Sequence, residues 1–133
     1  MDKEAKAKHI KKKKPIPRDL SSGRIYIQST FNNTIVTLTD ANGGVISWNS
    51  AGRLGLSGTR KSTPYIASQV AKAISEEARD LGIQKVKVYV SGVGTGRDSA
   101  VRALQGADLD VLAIADTTAV PHNGCRAKKP RRV

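Results

Sequence analysis

Residues 24–49 read RIYIQSTFNNTIVTLTDANGGVISWN, and this stretch decides the fold. RIYIQSTF is β-branched and aromatic, with Ile25 and Ile27 sharing one face of a pleated strand. Asn32-Asn33 reads as a turn. TIVTLTD is a second strand, with Ile35 and Val36 at its start. Asn42-Gly43 is the strongest short hairpin signal, because both residues tolerate positive φ. VISWN then makes a third strand. Three strands joined by tight turns predict an antiparallel meander.

The chain after the meander alternates helix and strand. Residues 50–63, SAGRLGLSGTRKST, form a glycine-punctuated loop. A helix should start at Pro64, where a missing N–H costs nothing, with Thr63 as N-cap. Ile66, Val70, Ile74, Ala78 and Leu81 recur at helical spacing, and Gly82 supplies a left-handed stop. KVKVYVS (85–91) places Val86, Val88 and Val90 on one face and Lys85, Lys87 and Tyr89 on the other. SGVGTGR (91–97) is a second glycine loop. DSAVRALQGA (98–107) is a short helix with Ala100, Val101 and Leu104 inward. VLAIAD (111–116) is an uninterrupted apolar run, which suits a strand covered on both faces.

The order βββαβαβ places the chain in the α/β class. It predicts a mixed five-stranded sheet with helices packed on it, the last strands running parallel. This is the order of the ribonuclease H-like topology. Active members of that fold hold two metals on clustered carboxylates. Here the first strand has no acid, and Asp40, Asp98 and Asp116 stand at element ends as caps or solvated charges. A metal nuclease is therefore disfavoured.

Charge is concentrated at the two ends. Residues 1–23 carry eight Lys/Arg against three acids, residues 24–116 ten against eight, and residues 117–133 five against none. We divide the chain into a basic extension (1–22), an α/β body (23–116) and a basic tail (117–133). Neither end should hold a fixed shape alone. Lys11, Lys12, Lys13 and Lys14 repel one another, and Pro15 and Pro17 prevent a continuous helix. Cationic ends suit a polyanion, because each phosphate contact releases counterions. A membrane surface would want Trp, Phe or Leu beside the lysines, and neither end has them. Nucleic acid is the expected partner, and no membrane is. No run of eighteen apolar residues occurs, and the N-terminus has the pattern of neither a secretory signal nor a transit peptide. The single Cys125 excludes an intrachain disulfide and fits a reducing, cytoplasmic setting.

Two loops could meet phosphate. In the first, Gly52, Gly55 and Gly58 allow close backbone approach. Arg53, Arg60, Lys61 and Ser62 add charge and a hydroxyl at a helix N-terminus, and no acid falls between 41 and 75. The spacing is not that of a P-loop. In the second, Gly92, Gly94, Gly96 and Arg97 join a strand to a helix. A dinucleotide site would want glycine where Arg97 stands, so the choice there is between phosphate contact and a structural turn. His122 and Cys125 do not make a zinc site, no catalytic set has useful spacing, and no metal or cofactor is expected. Aromatic residues are few. No paired-aromatic platform is evident, and Phe31 and Trp48 read as core or hairpin packing. Recognition should then rest on phosphates and RNA shape. Asn123-Gly124 is open to succinimide formation, because glycine leaves the following nitrogen unhindered; the alternative is a plain turn.

Four segments together resemble one family. FNNTIVTLTD (31–40), GTRKSTPYIASQVA (58–71), GVGTGRDSAVRAL (92–104) and PHNGCRAKKPRRV (121–133) look like the bacterial form of small-subunit ribosomal protein eleven. The resemblance runs from about residue 24 to the end. HNGCR resembles the bacterial branch in particular. It implies a non-catalytic, structural protein that binds 16S ribosomal RNA on the platform of the small subunit and bridges several RNA helices. Small-subunit proteins seven and eighteen would be neighbours. The family helps form the cleft for messenger (Shine-Dalgarno) pairing, which brings messenger RNA and initiation factor three close. Carried over by motif, the RNA-facing residues are Asn32, Asn33, Arg53, Arg60, Lys61, Ser62, Arg97, His122, Asn123, Arg126, Lys128, Lys129, Arg131 and Arg132. Lys11–Lys14 join them by charge alone. The pattern departs at Val93 and Thr95, where the family usually has prolines, and at Ala119, Val120, Ala127 and Lys128 in the tail.

Overall fold

The computed structural model describes residues 20–55 and 63–132. Its elements run β1 (Ser22–Ser29), β2 (Thr34–Asp40), β3 (Val45–Ser50), α1 (Pro64–Asp80), β4 (Lys85–Gly92), α2 (Gly96–Gln105) and β5 (Asp110–Asp116). The strands form one mixed sheet in the order β3-β2-β1-β4-β5. β1 and β2 pair antiparallel, as do β2 and β3, whereas β4 lies parallel to both β1 and β5. The expected order and class are those observed.

Both helices lie on one face of the sheet. α1 packs against β2 and β3, α2 against β1 and β5, and the two helices against each other. The core between them is Ile25, Ile27, Val36, Leu38, Val86, Val88 and Val90 from the sheet. Ala67, Val70, Ala71, Ile74, Ala78, Ala100 and Leu104 come from the helices. Period-two alternation puts the strand residues there, and the small helical alanines let the helices come close. Pro64 opens α1, and the Thr63 carbonyl accepts the Ala67 N–H at 3.2 Å. At the other end Gly82 takes φ 83°. Its N–H donates to Arg79 O and that of Ile83 to Ala78 O, the paired bonds of a Schellman stop.

Several expectations need correction. β5 is not covered on both faces: it is the sheet's edge, with Leu112 54% and Ile114 48% exposed. α2 leans on α1 and leaves β5 largely uncovered. Phe31 sits in the β1–β2 turn and is 73% exposed, not packed. Trp48 is about half exposed, and its partner is Arg53, whose guanidinium stands 5.0 Å from the ring centroid. Tyr26 and Tyr89, despite the expectation of no aromatic pair, stack with centroids 5.1 Å apart and planes inclined by 16°.

Candidate nucleic-acid interface

The parallel strands all point the same way, so their carboxyl ends gather at one side of the sheet. The β1–β2 turn, the glycine loop after β4 and the chain leaving β5 meet there. In open α/β sheets this is the end where ligands bind.

The glycine loop lies directly on the turn. A Cβ built on Gly92 would stand 2.1 Å from Ser29 O, and one on Gly94 2.3 Å from Ser29 Oγ and 2.5 Å from Thr30 O. One on Gly96 would stand 2.4 Å from Thr34 Oγ1 and 2.8 Å from Ala67 Cβ. The absence of side chains thus first serves packing between chain segments. The Gly96 contact also brings the first turns of α1 and α2 together. Two helix N-termini, each carrying partial positive charge, therefore share this end.

Asn32 and Asn33 crown the turn. Thr30 N–H donates to Asn33 O at 2.8 Å, the Asn33 N–H donates to Thr30 Oγ1 at 3.1 Å, and Asn33 Oδ1 accepts the Thr34 N–H at 2.9 Å. Asn32 is exposed, so its side-chain amide faces outward.

Arg97 is only half available. Its Nη1 donates to Gly92 O at 2.8 Å and its Nη2 to Asp116 Oδ2 at 2.7 Å. These bonds tie the glycine loop to the start of the tail. The Arg97 guanidinium, and then the hydroxyl and N–H of Thr118, hold the Asp116 carboxyl well below the usual carboxylate range. Sequence reasoning missed this pair because the two residues meet only through parallel β4–β5 pairing.

Arg53 is exposed beyond β3, donates to the Trp48 carbonyl and lies over the Trp48 ring. His122, Asn123, Arg126, Lys128, Lys129, Arg131 and Arg132 are all exposed on a tail without helix or strand. None of these cations has an ion-pair partner among the described residues. Asn123 holds φ 62°, the left-handed region Asn tolerates. Lys11–Lys14, Arg60, Lys61 and Ser62 lie outside the described residues.

The acids considered for metal chemistry do not gather into one group, although Asp98 and Asp116 line one pocket beside Arg97. The Asp40 carboxylate accepts the N–H groups of Asn42 and Gly44, Asp98 sits in the first turn of α2, and Asp116 is held by Arg97. No group of three or more His, Cys, Asp or Glu among the described residues could hold a metal ion. No helix among them is long and apolar enough to cross a membrane.

What remains is a folded body with one polar end, where Arg53 and the Arg97–Asp116 pair stand, and a cationic tail leaving from it. The profile of the family described as ribosomal protein S11 matches residues 23–132, which is all of the sheet but its first residue, both helices and nearly all the tail. Its members are structural components of the small ribosomal subunit that bind ribosomal RNA, and they are not enzymes. The chain belongs to the ribosomal protein S11 family.

Proposed function

We propose that the body, residues 23–116, is a scaffold that presents its polar end to 16S ribosomal RNA on the subunit platform. The extensions 1–22 and 117–133 then run along separate RNA helices and bridge them. In this reading the chain sits beside small-subunit proteins seven and eighteen in the cytoplasmic ribosome. It helps form the cleft in which messenger RNA pairs with the 3′ end of the ribosomal RNA, within reach of initiation factor three. One observation carries it: the turn, the glycine loop, two helix N-termini and the origin of the tail converge on one side of the sheet. Helix N-termini and exposed Arg and Lys are what phosphates seek. Asn32, Asn33, Arg53, Arg97, His122 and Asn123 are the contacts near the body. Arg126, Lys128, Lys129, Arg131 and Arg132 are those of the tail. Lys11–Lys14, Arg60, Lys61 and Ser62 complete the set by charge and motif.

The test is photo-crosslinking in purified small subunits, with the reactive group at position 32, 123 or 128. Crosslinks should fall in at least two RNA helices, including nucleotides near the 3′ end. Crosslinks confined to a single helix remote from that end would overturn the bridging and cleft roles.

The tail also carries a modification proposal. The Gly124 nitrogen attacks the Asn123 side-chain carbonyl carbon, a C–N bond forms and ammonia leaves. Water then opens the succinimide to Asp or isoaspartate. Asn123 is exposed and precedes a glycine, so nothing crowds the attack. Peptide mass spectrometry of aged protein should show the gain of an amide becoming a carboxylate, with an isoaspartate signal. Unmodified Asn123 in aged subunits would refute it.

A further inference from the structure

The face of the sheet opposite the helices carries a row of rings that no contact so far explains. Register joins Trp48 to Thr37, Thr37 to Tyr26, Tyr26 to Tyr89, and Tyr89 to Ala115, straight across all five strands. The stacked tyrosines back one another, with centroids 5.1 Å apart. Trp48 is backed by Arg53. Between Trp48 and Tyr26 stands only the short Thr37, leaving two strand spacings, ~9.5 Å, between their backbones. That width accommodates one flat base.

A second feature of this face points to an anion. Arg24 and Lys87 are register partners on adjacent strands, one row from the tyrosines. Like charges directly opposed across a sheet destabilise it. The Asp40 carboxylate nearby is already bonded to two backbone N–H groups. By alternation Asp40 shares the core side of β2 with Val36 and Leu38, and the acid on this face, Asp110, lies opposite Lys85, one row from Lys87, so Arg24, Lys85 and Lys87 outnumber it. Rings for bases beside unbalanced cations for phosphates make the two-part surface that single-stranded nucleic acid uses. The row holds no large aliphatic side chain, which an apolar protein interface would supply.

We propose that the helix-free face of the sheet binds an unpaired segment of RNA, with bases stacked on Trp48 and the Tyr26–Tyr89 pair and phosphates met by Arg24 and Lys87. This rests on the ribosomal-RNA-binding role of the family and adds to it a stacking site separate from the polar end. It also replaces the expectation that recognition involves phosphates and shape alone.

Trp48 is the only tryptophan, so its fluorescence reports on this face directly. The full chain is titrated with a single-stranded adenine 12-mer and with a duplex RNA of equal length. The single strand should quench Trp48 saturably, and the duplex should not. Tyr26→Leu with Tyr89→Leu should weaken single-strand binding roughly 5- to 150-fold, the span of one stacked base. Tyr26→Phe with Tyr89→Phe should restore it, since the phenyl ring still stacks. Lys87→Gln, at an exposed position that leaves the core untouched, should lower the salt slope by about 0.7. Equal quenching by duplex, or unchanged binding after loss of both rings, overturns the proposal. So does crosslinking of Trp48 to a protein rather than a nucleotide in intact subunits. Filter binding of the same variants to 16S RNA separates the two failures. Retained binding there with no stacking signal rejects only this face, whereas no binding by the unmodified chain would reject the RNA reading itself.

Discussion

Gly92→Ala is expected to lower stability by about 3 kcal/mol or more, a large fraction of a small domain's total. Two penalties coincide. Gly92 has φ 89°, where a β-carbon is strained. That carbon would also stand 2.1 Å from Ser29 O and 3.2 Å from Ser29 C. Both are backbone atoms of β1, paired in register with Gly92, so neither can swing aside. Relief requires parting β1 from β4 at the centre of the sheet. The control is Gly43→Ala. Gly43 has φ 92° but nothing within 4 Å, so it suffers the backbone strain alone, on the order of 1 kcal/mol. Urea unfolding should show both midpoints reduced, Gly92→Ala far more, with slopes unchanged. Equal losses would mean that the close approach to β1 does not exist. The Gly92 carbonyl also receives Arg97 Nη1, so its displacement should loosen the start of the tail.

Deleting residues 126–133 is expected to have the opposite profile: little effect on folding and a large effect on RNA binding. Arg126, Lys128, Lys129, Arg131 and Arg132 are exposed and unpaired among the described residues. Surface changes of that kind usually shift stability by less than about 0.5 kcal/mol. Five phosphate contacts on a duplex would contribute about 4.5 to the salt slope of binding, which the deletion removes. Filter binding to 16S RNA between low and moderate salt reads that slope. An unchanged slope would show that the tail is not the phosphate anchor. Arg97→Ala makes the contrast. Its guanidinium is committed to Gly92 O and Asp116, so this variant should lose thermal stability before it loses salt dependence.

These contrasts show where sequence reading stops. Every strand and helix was legible, most of them because they carry a period and β5 as an uninterrupted apolar run. Ile25 and Ile27 alternate, Val86, Val88 and Val90 alternate, and Val70, Ile74 and Ala78 recur at one helical turn. Punctuation was legible too: Gly43, Gly82 and Pro64 act through local backbone preferences, which neighbours in sequence suffice to set. The second glycine loop was only half legible. Its candidacy as a phosphate loop was visible, but its service to packing depends on Ser29 and Thr34, some sixty residues earlier.

Local preference determined the element order, the hairpins, the limits of α1 and the cationic ends, since φ/ψ choice, side-chain alternation and charge belong to short stretches of chain; α2, expected over 98–107, runs Gly96–Gln105. Strand adjacency decided the rest. Parallel pairing of β1 with β4 put Tyr26 beside Tyr89, pairing of β4 with β5 brought Asp116 to Arg97, and the edge position left the apolar β5 open to solvent. An apolar run states only that burial is favourable. Whether it is buried depends on which element arrives to cover it, and that is a property of the whole fold.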